Sequence, residues 1–466
     1  MTDPRERLAS LSRQLLAPNA QEDDVANNRA KKMDASPPTK RPFSKIIIVG
    51  AGPSGLLLAL LLSKHGIPVQ ILEAASQLDN QPRAAHYGPP AIPEFVRAGI
   101  ADAIRARGMV LNTMCWRRDA AAGHRYVAGF NAHDALRDVD GMDVRTHCLA
   151  LQDLDQLMLD EVTRRYGGTV SWEHKVVRVG QDAEGAWCEV EVGADGGENE
   201  GEEEKKKKKK KVVVVRGDYV VGCDGANSIV RRSLFGDEFP GFTWDAQIIA
   251  TNTYYPFEEK FGWHDANFII HPEHFFMAAR ITRDGLYRIT YGETPGLSRD
   301  EYLARQPWKF ETILPGHPKP DAYKMVNFSP YKMHQRCAPQ FRVGRVLLAA
   351  DAAHLCNPWG GLGITGGFVD VGGLYDCLAG IWDGRADESI LDLYSEKRIE
   401  KWRTIIDPIS QENFRRVSDR DPATRLERDE FMQLLKKGET DEAFLKELLL
   451  APMEVRYDFT QHYKVA

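Results

Sequence analysis

The sequence predicts an α/β fold, α+β overall, from three observations. Residues 45–73 read as a strand, a glycine-rich turn, a helix and a second strand. From Phe242 to about Tyr291 the chain is rich in β-branched and aromatic residues, which predicts a separate antiparallel sheet. Beyond Ser389 the periodicity is helical. Together these observations predict a Rossmann-like nucleotide-binding domain with an inserted antiparallel-sheet domain and C-terminal helices.

The first unit is defined by its apolar runs and its glycines. The β-branched run Ile46 to Val49 predicts a buried parallel strand, and Leu56 to Leu62 predicts a buried helix. A second strand is predicted from Val69 to Leu72, with Glu73 directly after it. Between the first strand and the helix lie glycines at G-x-G-x-x-G spacing: Gly50, Gly52 and Gly55.

This spacing has a physical meaning in dinucleotide binding. Gly50 permits the tight turn, Gly52 lets the backbone approach a pyrophosphate, and Gly55 lets helix and strand pack closely. The helix N-terminus offers free N–H groups to phosphates, and Glu73 offers a carboxylate to a ribose. The sequence therefore predicts a dinucleotide site, against the simpler interpretation of a glycine-rich turn in another α/β domain.

Composition limits the remaining possibilities. With 466 residues, 43% hydrophobic and 27% charged, the chain is typical of a globular protein with two domains plus appendages. A net charge of −6 gives no sign of general nucleic-acid affinity, and no apolar run reaches the roughly 18 residues that span a membrane. The seven cysteines are scattered without C-x-x-C pairs, which predicts neither metal site nor disulfides and favours a cytoplasmic location.

Two segments are predicted to lie outside the folded domains. Residues 1–42 lack periodicity and are expected to form a disordered tail. The insertion 195–211 combines a glutamate run with a lysine run between two β-type segments. A nucleic-acid or membrane patch is the alternative interpretation, but the neighbouring acids favour an exposed low-complexity hairpin tip.

Two further motifs point to a family. CDGANSIVRR, residues 223–232, and GRVLLAADAAHLCNPWGGLGITGG, residues 344–367, follow the first unit in that order. With GAGPSG and Glu73, they resemble the DG and GD motifs of the FAD-dependent aromatic hydroxylases. These are the group A flavoprotein monooxygenases, of the p-hydroxybenzoate hydroxylase and phenol hydroxylase type. The resemblance covers about residues 44–405, and the segment after Asn357 is more similar to fungal members, which hints at secondary metabolism.

The resemblance implies a set of FAD-binding residues beyond the first turn. Asp351 is expected to bind the ribityl hydroxyls, with a plain helix N-cap as its simpler role. In the family a glycine precedes this aspartate, whereas here Ala350 does. Gly360 belongs to the glycine-rich segment that is expected to pass close to the flavin ring. The other residues implied are Arg83 in the PRA segment, Gln152, Asp224, Gly225, Pro358, Gly361 and Gly363.

The resemblance also divides the chain. The FAD-binding domain is expected at 43–225 and 330–405, interrupted by the insertion already described. The substrate-binding β-sheet domain is expected at 226–329. A C-terminal helical region is expected at 406–466.

The activity implied is NADPH-dependent hydroxylation of an aromatic or phenolic substrate with O2, through a flavin C4a-hydroperoxide. NADPH is implied by resemblance alone, and NADH stays open. Alternatives are a related epoxidase, a Baeyer–Villiger-type monooxygenase, or a non-catalytic FAD-binding redox or interaction protein. No nucleic-acid partner is expected, and a homodimer is left open.

Stabilising a phenolate requires a cation or a phenolic hydroxyl on the substrate sheet. The candidates are Arg280, Arg283, Arg288, Tyr254, Tyr255, Tyr287 and Tyr291. Strand alternation groups Tyr287, Ile289 and Tyr291 on one face. We select Arg280 and Tyr287 as catalytic candidates, while the simpler interpretation is a solvated arginine and a core aromatic.

Overall fold

The computed structural model describes residues 42–79, 84–193 and 211–464. The tail predicted at 1–42 lies outside these residues except for Pro42, as does the insertion predicted at 195–211 except for Lys211. Arg83 also lies outside the described residues.

The strands of the described residues are labelled in chain order. They are β1 Ile46–Val49, β2 Val69–Leu72, β3 His86–Tyr87, β4 Met109–Leu111, β5 Thr113–Arg117, β6 Tyr126–Asn131, β7 Thr146–Cys148, β8 Thr169–Ser171, β9 His174–Gln181, β10 Ala186–Val192, β11 Lys211–Gly217, β12 Tyr219–Gly222, β13 Gly241–Tyr254, β14 Ala266–Ile269, β15 Phe276–Arg280, β16 Leu286–Glu293, β17 Lys324–Cys337, β18 Arg342–Val343, β19 Val346–Leu348 and β20 His354–Leu355.

The α-helices are labelled in the same way. They are α1 Pro53–Lys64, α2 Ile92–Ala98, α3 Ala101–Arg107, α4 His133–Leu136, α5 Leu151–Asp160, α6 Ile229–Phe235, α7 Phe257–Phe261, α8 Arg299–Ile313, α9 Gly363–Trp382, α10 Ile390–Lys401, α11 Asp407–Val417, α12 Arg425–Arg428, α13 Glu430–Gly438 and α14 Glu442–Leu450. Within the described ranges, none of the helices is both long and apolar enough to cross a membrane.

The predicted nucleotide-binding unit forms the centre of a six-stranded sheet in the order β18-β19-β12-β1-β2-β8. All neighbours pair in parallel except β18 and β19. The apolar residues of β1 and of α1 are buried together with those of α9 in one hydrophobic core. This burial explains why both runs are apolar throughout, since a central parallel strand has no solvent-facing side.

A second, eight-stranded sheet has the order β20-β17-β13-β16-β15-β14-β5-β6. It is antiparallel apart from the pair formed by β5 and β14. The antiparallel sheet predicted from the aromatic middle of the chain is therefore present, and it also recruits residues 113–131 and 324–337. The division into domains stays a prediction.

The β-branched run Val212 to Val221 predicts one continuous strand from the sequence alone, and this prediction is wrong. The chain forms β11 in a three-stranded sheet and β12 in the six-stranded sheet, with a break at Asp218. The Asp218 carboxylate accepts hydrogen bonds from the backbone N–H groups of Ser44, at 2.7 Å, and Lys45, at 2.9 Å. These bonds fix the corner at which the chain passes from one sheet to the other.

Candidate functional site

The turn after β1 and the start of α1 each contain a glycine that a larger residue could replace only if neighbouring backbone moved: Gly50 and Gly55. Gly50 has φ +103°, and a Cβ there would lie 2.6 Å from the carbonyl oxygen of Cys223. A Cβ on Gly55 would lie 2.0 Å from the Gly50 carbonyl oxygen. The turn is therefore tight, and α1 approaches β1 closely, as a backbone cradle for a dinucleotide requires.

Gly52 lies on the open side of the same turn. Apart from its chain neighbours, no atom of the described residues lies within 4 Å of the position that its Cβ would take. Gly52 is the N-cap of α1, which starts with Pro53 and has no side-chain cap. Every residue of α1 is described, and its first turn has no acidic side chain. Free N–H groups and the helix dipole therefore face space into which a pyrophosphate fits.

The Glu73 carboxylate, which is predicted to bind a ribose, also accepts hydrogen bonds within the protein. Its Oε2 accepts a hydrogen bond from the backbone N–H of Ala51 at 2.8 Å, and its Oε1 accepts one from Ala75 at 2.8 Å. The carboxylate thus ties the end of β2 to the turn after β1. Because a carboxylate accepts about four hydrogen bonds, Glu73 keeps acceptor capacity for ribose hydroxyls.

The DG motif lies beside this turn, at the carboxyl end of β12. Asp224 Oδ2 accepts the backbone N–H of Ile229 at 2.7 Å, and its Oδ1 accepts the hydroxyl of Ser228 at 2.6 Å. Burial raises the pKa of the Asp224 carboxyl, and these hydrogen bonds oppose the rise. Asp224 therefore caps the start of α6, and Gly225, with φ +75°, completes the turn.

Arg231 is a residue of this region that the sequence reasoning missed. It is only 4% exposed, and its guanidinium donates to the carbonyl oxygens of Ala352 at 3.0 Å and Ala226 at 2.8 Å. The guanidinium also stacks on Phe239, with 3.7 Å from Cζ to the ring centroid. Arg231 thus joins the DG and GD motifs. Arg232 is adjacent to Arg231 in the sequence. No sequence pattern shows which of the two arginines turns inward.

The GD motif follows β19, which neighbours β12 in the sheet. Asp351 is exposed in a short 3-10 turn, Ala350–Ala352, at the carboxyl end of that strand. Ala350 adopts the left-handed region with φ +56°. The alanine that replaces the family's glycine therefore takes the backbone conformation that glycine adopts most easily.

The glycine-rich segment leads into the longest helix of the site. Pro358 opens a 3-10 turn capped by Asn357, whose Oδ1 accepts the N–H of Trp359 at 3.1 Å. Gly361 has φ +63°, and no atom that the structure describes lies within 4 Å of its would-be Cβ. Gly363 begins α9, a helix of 20 described residues whose first turn holds neither a side-chain cap nor an acid. Its free N–H groups suit a ligand that carries negative charge.

The loops after β1, β12 and β19 therefore meet at one edge of the sheet, because these strands are neighbours and run parallel. Gln152 is exposed in the first turn of α5. This edge offers open glycine backbone, exposed hydrogen-bond acceptors, and the N-termini of α1 and α9, which have no side-chain cap. These features fit a dinucleotide that also carries a ring system.

The two faces of the eight-stranded sheet differ in what they contact. Tyr287, Ile289 and Tyr291 share one face, as alternation predicted, and pack with Phe310 of α8. Tyr287 is 2% exposed. Arg280 pairs with Tyr287 across the strands and forms an ion pair with Glu258 of α7. This face is turned toward helices α7 and α8.

The opposite face carries Arg288, which alternates with Tyr287 along β16. Its neighbour across the strands, Ala279, packs with Ala85 of the loop before β3. Ile248 of the same sheet packs with Trp359 of the glycine-rich segment. The Arg288 face is therefore the one turned toward the loops of the nucleotide site.

Polar contacts surround Arg288. Its Nε donates to the side-chain oxygen of Asn252 at 2.7 Å. Burial lowers the pKa of its guanidinium, while Tyr331, Cys148 and Tyr87 act in the opposite direction. His86 lies close by, and burial, aided by the Arg288 charge, lowers the pKa of its imidazole to about 4. His86 Nε2 is 2.7 Å from the carbonyl oxygen of Arg280, so Nε2 carries the proton of the neutral ring.

Comparison with known proteins agrees with this geometry. A family model described as "FAD binding domain" matches residues 44–407. Para-nitrophenol 4-monooxygenase of Pseudomonas sp. (strain WBC-3) is 33% identical over 405 residues, which is 87% of this chain and 94% of the relative. The 6-hydroxy-3-succinoylpyridine 3-monooxygenase of Pseudomonas putida (strain DSM 28022 / S16) is 35% identical over 379 residues, 81% of this chain and 90% of that protein.

A solved structure is similar over the same extent. The crystal structure of p-nitrophenol 4-monooxygenase from Pseudomonas putida DLL-E4 has a TM-score of 0.77 and 32% identity, and covers 87% of this chain and 96% of its own. The protein belongs to the FAD-dependent aromatic monooxygenase family. The prediction of an FAD-dependent hydroxylase with a Rossmann-like FAD domain is thereby confirmed, and FAD is its cofactor.

Proposed function

We propose that this enzyme hydroxylates a phenol or hydroxypyridine at the ring carbon para to the hydroxyl group, with NADPH as electron donor. The proposal starts from the reaction class of the family and adds two observations. One is the pattern shared by the names of two relatives, and the other is the position of Arg288.

The names of the two relatives describe the same substitution pattern. In para-nitrophenol 4-monooxygenase the oxygenated carbon carries the nitro group and lies opposite the hydroxyl. In 6-hydroxy-3-succinoylpyridine 3-monooxygenase the oxygenated carbon carries the succinoyl group and again lies opposite the hydroxyl. A ring with a hydroxyl and a para substituent is therefore the substrate class that we propose here.

The observation that carries the proposal is Arg288 on the sheet face turned toward the nucleotide site. A guanidinium there stabilises a phenolate oxygen relative to the phenol, which makes the para carbon richer in electrons. The hydrogen bond from Arg288 Nε to Asn252 orients the guanidinium. In this proposal the electron-rich carbon opposite the hydroxyl is the one that is oxygenated.

His86 complements Arg288 in this proposal. Its Nε2–H is committed to the Arg280 carbonyl oxygen, so Nδ1 is the hydrogen-bond acceptor of the neutral ring. We assign Nδ1 to accept the hydrogen bond of the substrate hydroxyl as the phenol binds. When the phenol ionises its proton passes to water, since the imidazole stays neutral, and Arg288 binds the phenolate oxygen that remains. The low pKa of His86 keeps the imidazole neutral, and therefore an acceptor, throughout the neutral pH range.

Bound FAD, once reduced by a nicotinamide cofactor, supplies the activation of O2 that oxygen insertion requires. The residues of this chain hold FAD and the substrate ring and limit the access of water to them. NADPH is proposed from the family resemblance, in which the motif that Asp224 and Gly225 match serves both FAD and NADPH.

The direct test is NADPH and O2 consumption by the purified holoenzyme with para-substituted phenols and their meta isomers. We expect stimulation by the para-substituted compounds and a product oxygenated at the para carbon. Equal stimulation by meta isomers, or oxygenation beside the hydroxyl, would contradict the proposed position. Replacing NADPH by NADH in the same assay tests the electron donor.

The role of Arg288 is tested against the arginine that lies on the other face. We expect Arg288→Gln to lower kcat/KM by about 100-fold, because hydrogen bonds to a charged group contribute ~1.5–3 kcal/mol. The matched variant Arg280→Gln is expected to keep turnover near that of the wild type at equal FAD content. The reverse pattern would return the catalytic role to Arg280 and Tyr287.

A further inference from the structure

A buried carboxylate beneath the GD motif connects three parts of the chain. Asp370 of α9 is fully buried, and its Oδ2 accepts the backbone N–H of Ala350 at 3.0 Å. The same oxygen lies 2.7 Å from Nε2 of His354. Its Oδ1 accepts from Nε of Arg398 at 2.6 Å. One side chain thus joins the turn after β19 to helices α9 and α10.

The charges around Asp370 keep it ionised. Burial alone would raise the pKa of this carboxyl, but His354 and Arg398 outweigh it and lower the pKa below its ordinary value. Arg398 is itself buried and also donates to the carbonyl oxygen of Val455 at 2.5 Å. An ionised carboxylate accepts only, so it can receive the Ala350 N–H without competition from a proton of its own.

Ala350 needs such a partner because of its backbone conformation. With φ +56° it lies in the left-handed region, which L-residues other than Asn and Asp rarely adopt. Its methyl group lies over Gly367 of α9, where a Cβ would come within 2.7 Å of the Ala350 Cβ. The N–H bond to Asp370 and the space above Gly367 together hold a conformation that alanine would otherwise leave.

We propose that Asp370 is a positioning residue for FAD. It locks Ala350 in the left-handed conformation and so aims the exposed Asp351, the next residue, at the cofactor. The inference rests on the proposed role of Asp351 as an FAD ligand. The hydrogen bond from the Ala350 N–H to Asp370 stabilises the left-handed backbone that a glycine at position 350 would adopt without it.

The test is a double-mutant cycle read as the FAD dissociation constant, from the recovery of flavin fluorescence when the holoenzyme is diluted. In Asp370→Asn the charge of Arg398 selects the amide oxygen, which turns the NH2 group toward the Ala350 N–H. We expect FAD binding to weaken by at least about tenfold, because the Ala350 N–H loses its acceptor and the left-handed turn loses the hydrogen bond that stabilises it. Ala350→Gly in the same chain should restore most of this loss, since glycine keeps the turn without the lock.

A matched control lies on the same helix. Asp376 also pairs with an arginine, accepting from Arg97 at 2.6 Å, and among the described residues none of its hydrogen bonds or ion pairs reaches the GD motif. Asp376→Asn is expected to change FAD binding by less than about threefold while removing another Asp–Arg ion pair from the same helix. Equal losses in the Asp370 and Asp376 variants, or no rescue by glycine, would overturn the proposal.

Two further results separate the possible failures. If Asp370→Asn does not fold, hydrogen exchange of the Ala350 amide in the wild-type protein decides. Strong protection without FAD supports the lock, and exchange as fast as in an exposed loop overturns it. If the wild-type protein itself binds FAD but Asp351→Asn binds it equally well, the role of Asp351 fails rather than the lock.

Discussion

Two turns at the same edge of the six-stranded sheet both need a backbone with positive φ, and different residues provide it. The turn after β1 and the turn after β19 each place a residue with positive φ near the strand end, Gly50 at +103° and Ala350 at +56°. Each is held by a carboxylate from a neighbouring element that accepts a backbone N–H, Glu73 from Ala51 and Asp370 from Ala350. The first turn has a glycine at this position. The second has an alanine, whose backbone N–H donates to Asp370.

The surroundings of the two residues explain the difference. A Cβ on Gly50 would meet backbone, the carbonyl oxygen of Cys223 at 2.6 Å, which cannot move without disturbing β12. The Cβ of Ala350 is accommodated because the neighbouring helix has Gly367 at the point of contact. Close approach in the second turn is therefore provided by a glycine in the partner helix. A glycine required for packing need not lie in the turn that it serves.

The largest effect is expected in the first turn. Gly50→Ala should abolish FAD binding and destabilise the protein by about 3 kcal/mol or more, because it combines a backbone clash with an unfavourable φ. The control is Gly66→Ala, since Gly66 has φ +81° but no described atom lies within 4 Å of its would-be Cβ. That variant should lose only ~1 kcal/mol and keep FAD.

Thermal unfolding and flavin absorbance of the two glycine variants measure this contrast. Similar losses in both would mean that φ alone, and not the contact with Cys223, makes glycine necessary at position 50.

The next effect concerns the partner glycine. Gly367→Ala should destabilise the protein by ~1–3 kcal/mol and weaken FAD binding, because two methyl carbons would meet at 2.7 Å. Adding Ala350→Gly removes the opposing methyl and should recover most of both losses. Urea unfolding with FAD titration tests this pair, and strictly additive losses would contradict a direct contact.

A smaller effect is expected at Glu73. Glu73→Gln keeps one acceptor oxygen but loses the charge and one of the two backbone bonds. We expect FAD binding to weaken by ~1–2 kcal/mol, since the lost hydrogen bonds are those of a charged acceptor. Fluorescence titration of the apoprotein with FAD is the measurement, and unchanged affinity would show that the turn keeps its shape without the carboxylate.

The two turns also show how much the sequence could predict. The strands and the helix of the first were predicted correctly, because they lie within residues 46–73 and each has a local signature. The hydrogen bonds of Glu73 to the turn were not predicted. The second was recognised only by resemblance. Asp370 and Arg398 lie far along the chain from Ala350, and a buried aspartate within an apolar helix has no local pattern that names its partner.

The substrate sheet shows a similar limit. Alternation grouped Tyr287 with Tyr291 correctly, because the period of a strand is fixed by its geometry. It could not tell which face meets the nucleotide site, because that depends on how the two sheets pack. Arg288 was one candidate among several on the sequence, and only the contacts of its face with Ala85 and Trp359 set it apart.

The smallest effect is the most direct measure of the strain in the second turn. Ala350→Gly in the otherwise unchanged protein relieves a left-handed penalty of ~1–2 kcal/mol and adds an entropy cost to folding of ~0.5–1 kcal/mol. The free energy of unfolding should therefore rise by about 0.5 kcal/mol, visible as a small increase in Tm. A matched Ala349→Gly change, in extended backbone with φ −143° before the turn, should lower it instead. Destabilisation of equal size in both variants would mean that the hydrogen bond to Asp370 fully offsets the strain at Ala350.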